Sequence, residues 1–253
     1  MISSWNYEQR VVAFIDVLGY KAFTALPNAE AQRIVELISH HLGAPRFDPE
    51  VNPFITPFAE QFSAKAFSDC IYLTDKLSTQ GCQNVVIQAA ALAHNLAVHG
   101  LYVRGGITSG RHFQDVNILF GEGIVRAYEM ERSRAVNPRI LIEKAMVDLL
   151  PPAAMALVAT DADGEMFVDF WRYWPWEHTR MDLDLLYMTA ADQYTAKVAD
   201  FREAKIHLER NIADAKKTRS SALSAKFKWL ANYHNERARA LLNVSDLGAV
   251  KVN

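Results

Sequence analysis

Two aspartates, Asp16 and Asp69, stand where the surrounding residues would let them do chemistry. Asp16 follows directly on Val11 to Ile15, an apolar run long enough for a buried strand, and Gly19 and the helix-compatible YKAF come next. A carboxylate at the end of a buried strand needs a cation, donors or water, because an unpaired buried charge is very costly. Asp69 lies in FSAKAFSDCIYL, where two short apolar pieces flank Ser68-Asp69 as in a tight hairpin turn. Either aspartate alone would serve equally as a helix cap or turn acceptor. Two of them at strand ends are what a divalent-metal site needs, since Mg²⁺ is commonly held by one or two carboxylates plus substrate phosphates. On this reading Asp16 and Asp69 bind two divalent ions, Mn²⁺ or Mg²⁺, helped by the Ile15 or Val17 carbonyl.

The neighbouring residues extend that chemistry. The turn Val17-Leu18-Gly19-Tyr20 would offer backbone N–H groups to phosphates near a helix N-terminus. Lys65 lies four residues before Asp69, and this even spacing on an extended strand puts both on one face, so Lys65 could reach the same cleft and donate to a base carbonyl. A surface lysine on a half-exposed hairpin is the alternative. The Ser68 hydroxyl suits a phosphate or ordinary turn chemistry. Phe14 and Tyr20 either line a nucleotide pocket or simply pack. His94, His99 and His112 show no metal-ligand spacing and are given no catalytic role.

The elements that must position these groups alternate between strands and helices. Val11 to Ile15 reads as the first strand, with a helix starting near Tyr20 and another over Glu30 to Leu42, where Ile34, Val35, Leu37, Ile38 and Leu42 recur at helical spacing. Proline-bearing Gly43 to Pro57 reads as a loop, Thr74 to Gln83 as a polar connection, and Asn84 to His99 as a helix. GLYVRGGITSG suggests a strand ending in a glycine-rich turn. A short strand over Ile118 to Phe120, a helix over Gly121 to Ser133, a strand from Ile140 and a helix over Glu143 to Leu150 follow. Leu157 to Phe170 reads as a peripheral hairpin about an Asp-Ala-Asp-Gly turn, and Trp171, Trp174 and Trp176 suggest a packed flap or subunit contact. Residues 191 to 241 contain no proline or glycine and support one or two long helices, with a tail after Leu241. The pattern implies an α/β or α+β sandwich around a mixed sheet.

Composition narrows the class. The chain has 253 residues, half of them apolar, and a formal charge of −2, which gives no support to a nucleic-acid footprint. Cys70 and Cys82, the only cysteines, form neither a zinc spacing nor a disulfide framework, as expected in a reducing cytoplasm. The start has no signal-peptide layout, and no run reaches the roughly 20 apolar residues that span a bilayer, so no membrane role is expected.

FIDVLGYKAF, KAFSDCIYL, YVRGGITSG and FGEGIVRAYEME together resemble the catalytic domain of class III nucleotidyl cyclases, in the divergent bacterial branch that looks like the Pycsar antiphage pyrimidine cyclases. NPRILI and a C-terminal helix carrying KFKWLANYHNE add to the resemblance, whose motifs cover about residues 10 to 142. It implies an α+β fold with a ferredoxin-like core, a mixed sheet flanked by helices, over residues 1 to 185, and a helical extension over 186 to 253 packed on the core or at a dimer interface. It makes Asp16 and Asp69 the metal aspartates and puts Lys65 where the wider family reads the base. The family helix with an asparagine for ribose and an arginine for the reacting phosphate corresponds here to the one opening at Gly121, with Val125 and Glu129 at those positions. The acidic base-reading position falls on Ile118. These departures speak against an ordinary purine cyclase and leave a pyrimidine cyclase, in which Arg104 or Arg126 replaces the arginine, or a catalytically idle relative. The resemblance further implies a homodimer with composite sites, UTP in preference to CTP as substrate, and an antiphage effector answering the cyclic nucleotide.

Overall fold

The computed structural model describes residues 7–20, 26–42, 62–115, 117–175, 188–243 and 248–251. The loop expected over Gly43 to Pro57, most of the YKAF helix and Trp176 lie outside the described residues.

Strand β1 (Glu8–Val17) is the spine. It lies inside the sheet between β3 (Cys70–Lys76) and β4 (Val103–Gln114), both antiparallel to it, and its apolar run is buried because helices cover both faces there. With β2 (Ser63–Phe67) the order is β2-β3-β1-β4, and the connections run through α1 (Asn28–Leu42) and α2 (Thr79–Val98). That β-α-β-β-α-β path is the ferredoxin-like arrangement. The sheet continues through β6 (Ile140–Ile142), parallel to β4, then β8 (Met166–Val168) and β7 (Val158–Thr160), while β5 (Leu119–Gly121) pairs with β4. The expected α+β sandwich about a mixed sheet is the one observed.

The two faces of the sheet are covered unequally. On the inner face Val11, Ala13, Ile15, Ile71, Leu73 and Ile107 pack beneath α2, which turns Val85, Val86, Ala89, Leu92 and Leu96 toward them. Helix α2 starts five residues earlier than its apolar pattern suggests, because the Ser78 side chain accepts the Gly81 N–H at 3.0 Å and caps a first turn of polar residues. The outer face of β1 and β4 is covered by α3 (Glu122–Ser133). The glycines expected to form a turn instead lie inside β4 and admit this helix. A Cβ on Gly106 would stand 2.6 Å from the Met130 Cβ, and one on Gly110 would stand 2.7 Å from the Gly123 nitrogen.

The C-terminal half departs from expectation in two places. The helix expected over Glu143 to Leu150 is the single turn α4 (Lys144–Val147), followed by α5 (Pro152–Met155). Two long helices do follow, α6 (Ala190–Thr218), opened by a Thr189–Asp192 capping box, and α7 (Ser221–Leu241), capped by Ser220. They pack against the aromatic segment: Trp171 stacks on Phe201 with ring centroids 4.3 Å apart, and Trp174 is buried. The stretch read as a tail returns to this hairpin, where Asn235 bonds both the N–H and the carbonyl of buried Val250. No described helix is long and apolar enough to cross a membrane.

Candidate active site

The ends of β1 and β4 and the β2–β3 turn meet at one edge of the sheet. Antiparallel register sets Asp16 opposite Cys70 on one side and opposite Arg104 on the other. The turn is Ser68-Asp69, and Ser68 takes φ +56°, a left-handed conformation uncommon for a residue with a side chain. The Asp69 carbonyl accepts the Val17 N–H at 2.8 Å, which ties the hairpin tip to the end of β1. As a result, ligand atoms of Asp16, Asp69 and Cys70 lie within 4.8 Å of one another.

Three further charged groups complete the electrostatics. Arg104 directs the proton on Nε to Oδ2 of Asp16 at 3.2 Å. Glu131, from the last turns of α3 and only 4% exposed, brings Oε1 to 2.6 Å from the same nitrogen. That is an ion-pair distance with no hydrogen bond directed at the oxygen, because the single Nε proton already points to Asp16. Burial pushes the Glu131 carboxyl up, Arg104 pulls it down and Asp16 pushes it up again. Lys226 of α7 is the second cation, held below its usual range by burial and then by Arg104, against the pull of Asp16 and Glu131. The Cys70 thiol is pushed up to about 12, first by burial and then by Asp69 and Asp16. Three carboxylates against two cations leave the cluster one negative charge in excess. Of the three converging side chains two are hard carboxylates and the third, Cys70, keeps its proton, so the oxygens of Asp16 and Asp69 fit a divalent cation.

The other residues singled out from sequence are distributed around this edge. Val17 and Leu18 give their N–H groups to the Asp69 and Tyr102 carbonyls, each at 2.8 Å, so these two expected phosphate donors are engaged inside the fold. The exposed turn at Gly19 (φ +80°), leading into Tyr20, is what remains of that cradle. Ile15 is buried in the ladder opposite Ile71 and Gly105, which leaves only its carbonyl as a conceivable ligand. Lys65 stands opposite Tyr72 on β3, two rows from Asp16, and donates to the Asp115 carbonyl. Phe14 lies on the outer face against Tyr128, edge to face at 5.4 Å. Arg126 is not brought to the aspartates within one chain: its Nη2 binds both Glu143 oxygens at 2.9 and 3.0 Å, and Nη1 donates to the Ser109 carbonyl. His94 sits among Trp171, Tyr173 and Trp174 and bonds the Phe170 carbonyl, a core role.

Glu131 and Lys226 escaped the sequence reading as site residues. For Glu131 a signal existed, because Gly123, Ala127, Met130 and Glu131 form one buried helical stripe and the carboxylate is its only charged member. Lys226 had none, since only the folded chain returns α7 to the sheet edge.

No protein-family model matches the chain, and no curated protein matches it. Among solved structures it is similar to a class III adenylyl cyclase-like ATP-binding protein from Pseudomonas aeruginosa, at 11% identity over 66% of this chain and 39% of that one, TM-score 0.42. A bacterial light-regulated adenylyl cyclase matches at 12% identity over 68% and 55%, TM-score 0.44. The catalytic core of a rhodopsin-guanylyl cyclase with converted specificity, in complex with ATPalphaS, matches at 12% identity over 64% and 95%, TM-score 0.39. The chain thus spans less than two thirds of the first two.

Proposed function

We propose that the chain is a metal-dependent pyrimidine nucleotide cyclase that converts UTP to 3',5'-cyclic UMP and diphosphate. The observation that carries this is the convergence of Asp16 and Asp69 within 4.8 Å beside an exposed glycine turn, in the motifs FIDVLGYKAF and KAFSDCIYL. Bound there, two divalent ions, Mn²⁺ or Mg²⁺, would acidify the ribose 3'-hydroxyl and offset charge on the phosphates.

The chain's own residues then have mainly to constrain geometry, because attacking oxygen and phosphorus share one molecule. Asp16 and Asp69 supply the oxygens, and the Asp69 carbonyl to Val17 bond fixes their separation. Arg104, steadied by Asp16 and Glu131, is the positive group nearest the reacting phosphate in this reading. Lys65 presents a donor to O4 of uracil, where cytosine would require an acceptor, and this is the reason for preferring UTP to CTP.

The site is completed by a second copy of the chain. Phe67 at the hairpin tip is 86% exposed, and Val125 and Tyr128 of α3 are exposed as well. Exposed apolar side chains on the hairpin tip and on α3 suit a homodimer in which one chain offers the aspartates and the other the base-side lysine. The product would act on a downstream antiphage effector in the cytoplasm. The test is incubation with each of the four NTPs plus Mn²⁺ and measurement of product mass. Cyclic UMP is expected, cyclic CMP would move the assignment to CTP, and a purine product would overturn it.

A second reading follows from Val125 and Glu129, both exposed where the family helix has asparagine and arginine. A chain without them would be a nucleotide sensor. NTP and Mn²⁺ binding with no diphosphate release at any protein concentration would establish that reading.

A further inference from the structure

Helix α7 reaches the acidic edge of the sheet from the far side. Phe227 meets Tyr102 edge to face, ring centroids 6.0 Å apart, and the Tyr102 carbonyl is the acceptor of the Leu18 N–H, 2.8 Å away. One aromatic contact therefore links α7 to the backbone turn immediately beyond Asp16. Lys226, the residue before Phe227, is half-buried there and feels the charges of Arg104, Asp16 and Glu131. Yet among the described residues its ammonium closes no ion pair: Asp16 and Glu131 are both taken by Arg104, at 3.2 and 2.6 Å. An ammonium that gives up part of its hydration and completes no contact with a fixed anion is poorly placed for stability alone. It is well placed for an anion that arrives with metal at Asp16 and Asp69 and occupies the space beyond the Gly19 turn.

We infer that Lys226 is a substrate-binding residue of the same chain's site, contacting the phosphate tail of the nucleoside triphosphate, so that the C-terminal helical hairpin completes the active site in cis. The inference rests on the nucleotide reading above and adds to it a cation for the phosphate tail, beside Arg104 at the reacting phosphate. Its neighbour Lys228 is exposed on the same helix and serves as a control.

The test uses the full chain and inorganic triphosphate, a probe with no base or ribose, titrated calorimetrically in saturating Mn²⁺. Lys226→Ala should weaken triphosphate binding by about ten- to a hundredfold, the loss of one charged hydrogen bond. Lys226→Arg should restore most of it, and Lys228→Ala should change nothing. Mn²⁺ binding without triphosphate should be unchanged or tighter in Lys226→Ala, and its melting temperature should match that of the wild type. In turnover, KM should rise with little change in kcat. Unchanged triphosphate binding in Lys226→Ala would overturn the inference, as would failure of arginine to rescue, or an equal loss of Mn²⁺ affinity and melting temperature. A wild-type chain that binds no triphosphate with Mn²⁺ would sink it together with the nucleotide reading. A wild-type chain that makes no cyclic product while Lys226→Ala still loses triphosphate would overturn only the cyclase reading.

Discussion

Replacing Asp69 by asparagine separates the cost of the acidic cluster from its use. The carboxylate oxygens of Asp16 and Asp69 lie within 4.8 Å, and at an effective dielectric of about 20 two like charges at that distance repel by about 3.5 kcal/mol. Glu131 adds to the repulsion, and Arg104 offsets part of it through Asp16 and Glu131. Asp69 sits on a partly exposed turn, so solvent screens the rest, and about 1 kcal/mol is a reasonable net gain for Asp69→Asn. In a domain of this size that raises Tm by about 2–4 °C without metal. Mn²⁺ at a hundredfold excess over its Kd should stabilise the wild type by about 2.7 kcal/mol and the variant hardly at all. Paired thermal melts with and without Mn²⁺ read both effects. A variant that melts below the wild type in chelator, or that gains as much from Mn²⁺ as the wild type does, would refute the assignment of Asp69 as a strained metal ligand.

The remaining predictions concern activity, packing and protonation. Asp16→Ala should abolish cyclic-nucleotide formation and leave the far-ultraviolet circular dichroism intact; substantial turnover by a folded variant would remove the two-aspartate mechanism. Gly106→Ala must push α3 off the sheet, since its Cβ would meet the Met130 Cβ at 2.6 Å and the Ala127 carbonyl at 2.9 Å; a loss of about 1–3 kcal/mol is expected in chemical denaturation. His112, fully buried and sharing a 2.5 Å hydrogen bond with Tyr72, has its pKa lowered to about 4, first by burial and then by Arg10 and Lys65. Against about 6.5 in the unfolded chain, the unfolded state binds more protons between these values, so this group's contribution is complete above pH about 6.5 and is lost as pH falls toward 4. An NMR titration should find its ring resonances constant down to about pH 5, and a midpoint near 6.5 would contradict the buried neutral imidazole.

Much of the core was legible in the sequence because its signals are local. The apolar run ending at Asp16, the Ser68-Asp69 break and the helical spacing of Ile34 to Leu42 each specify an element without reference to the rest of the chain. The glycines of VRGGITSG misled because glycine permits a turn and equally permits a helix to lie close on a strand; only the presence of α3 over Gly106 and Gly110 decides between them. Likewise the helix read over Glu143 to Leu150 stops at Val147, since α4 is a single turn. The pair Asp16 and Asp69 could be guessed, but the link through Arg104 to Glu131 and the approach of Lys226 depend on tertiary placement, with 94 residues between Glu131 and Lys226.

Arg104 divided between two carboxylates has one more consequence. The chain supplies its own counter-ion to these carboxylates, so the fold does not wait on an external one. On the proposed reading a divalent cation would bind by exchange with the Arg104 guanidinium at Asp16, and Glu131, whose buried oxygen has no directed donor, would keep the guanidinium. Such a site would wait at low free metal and fill when the ion and the triphosphate arrive together as one complex.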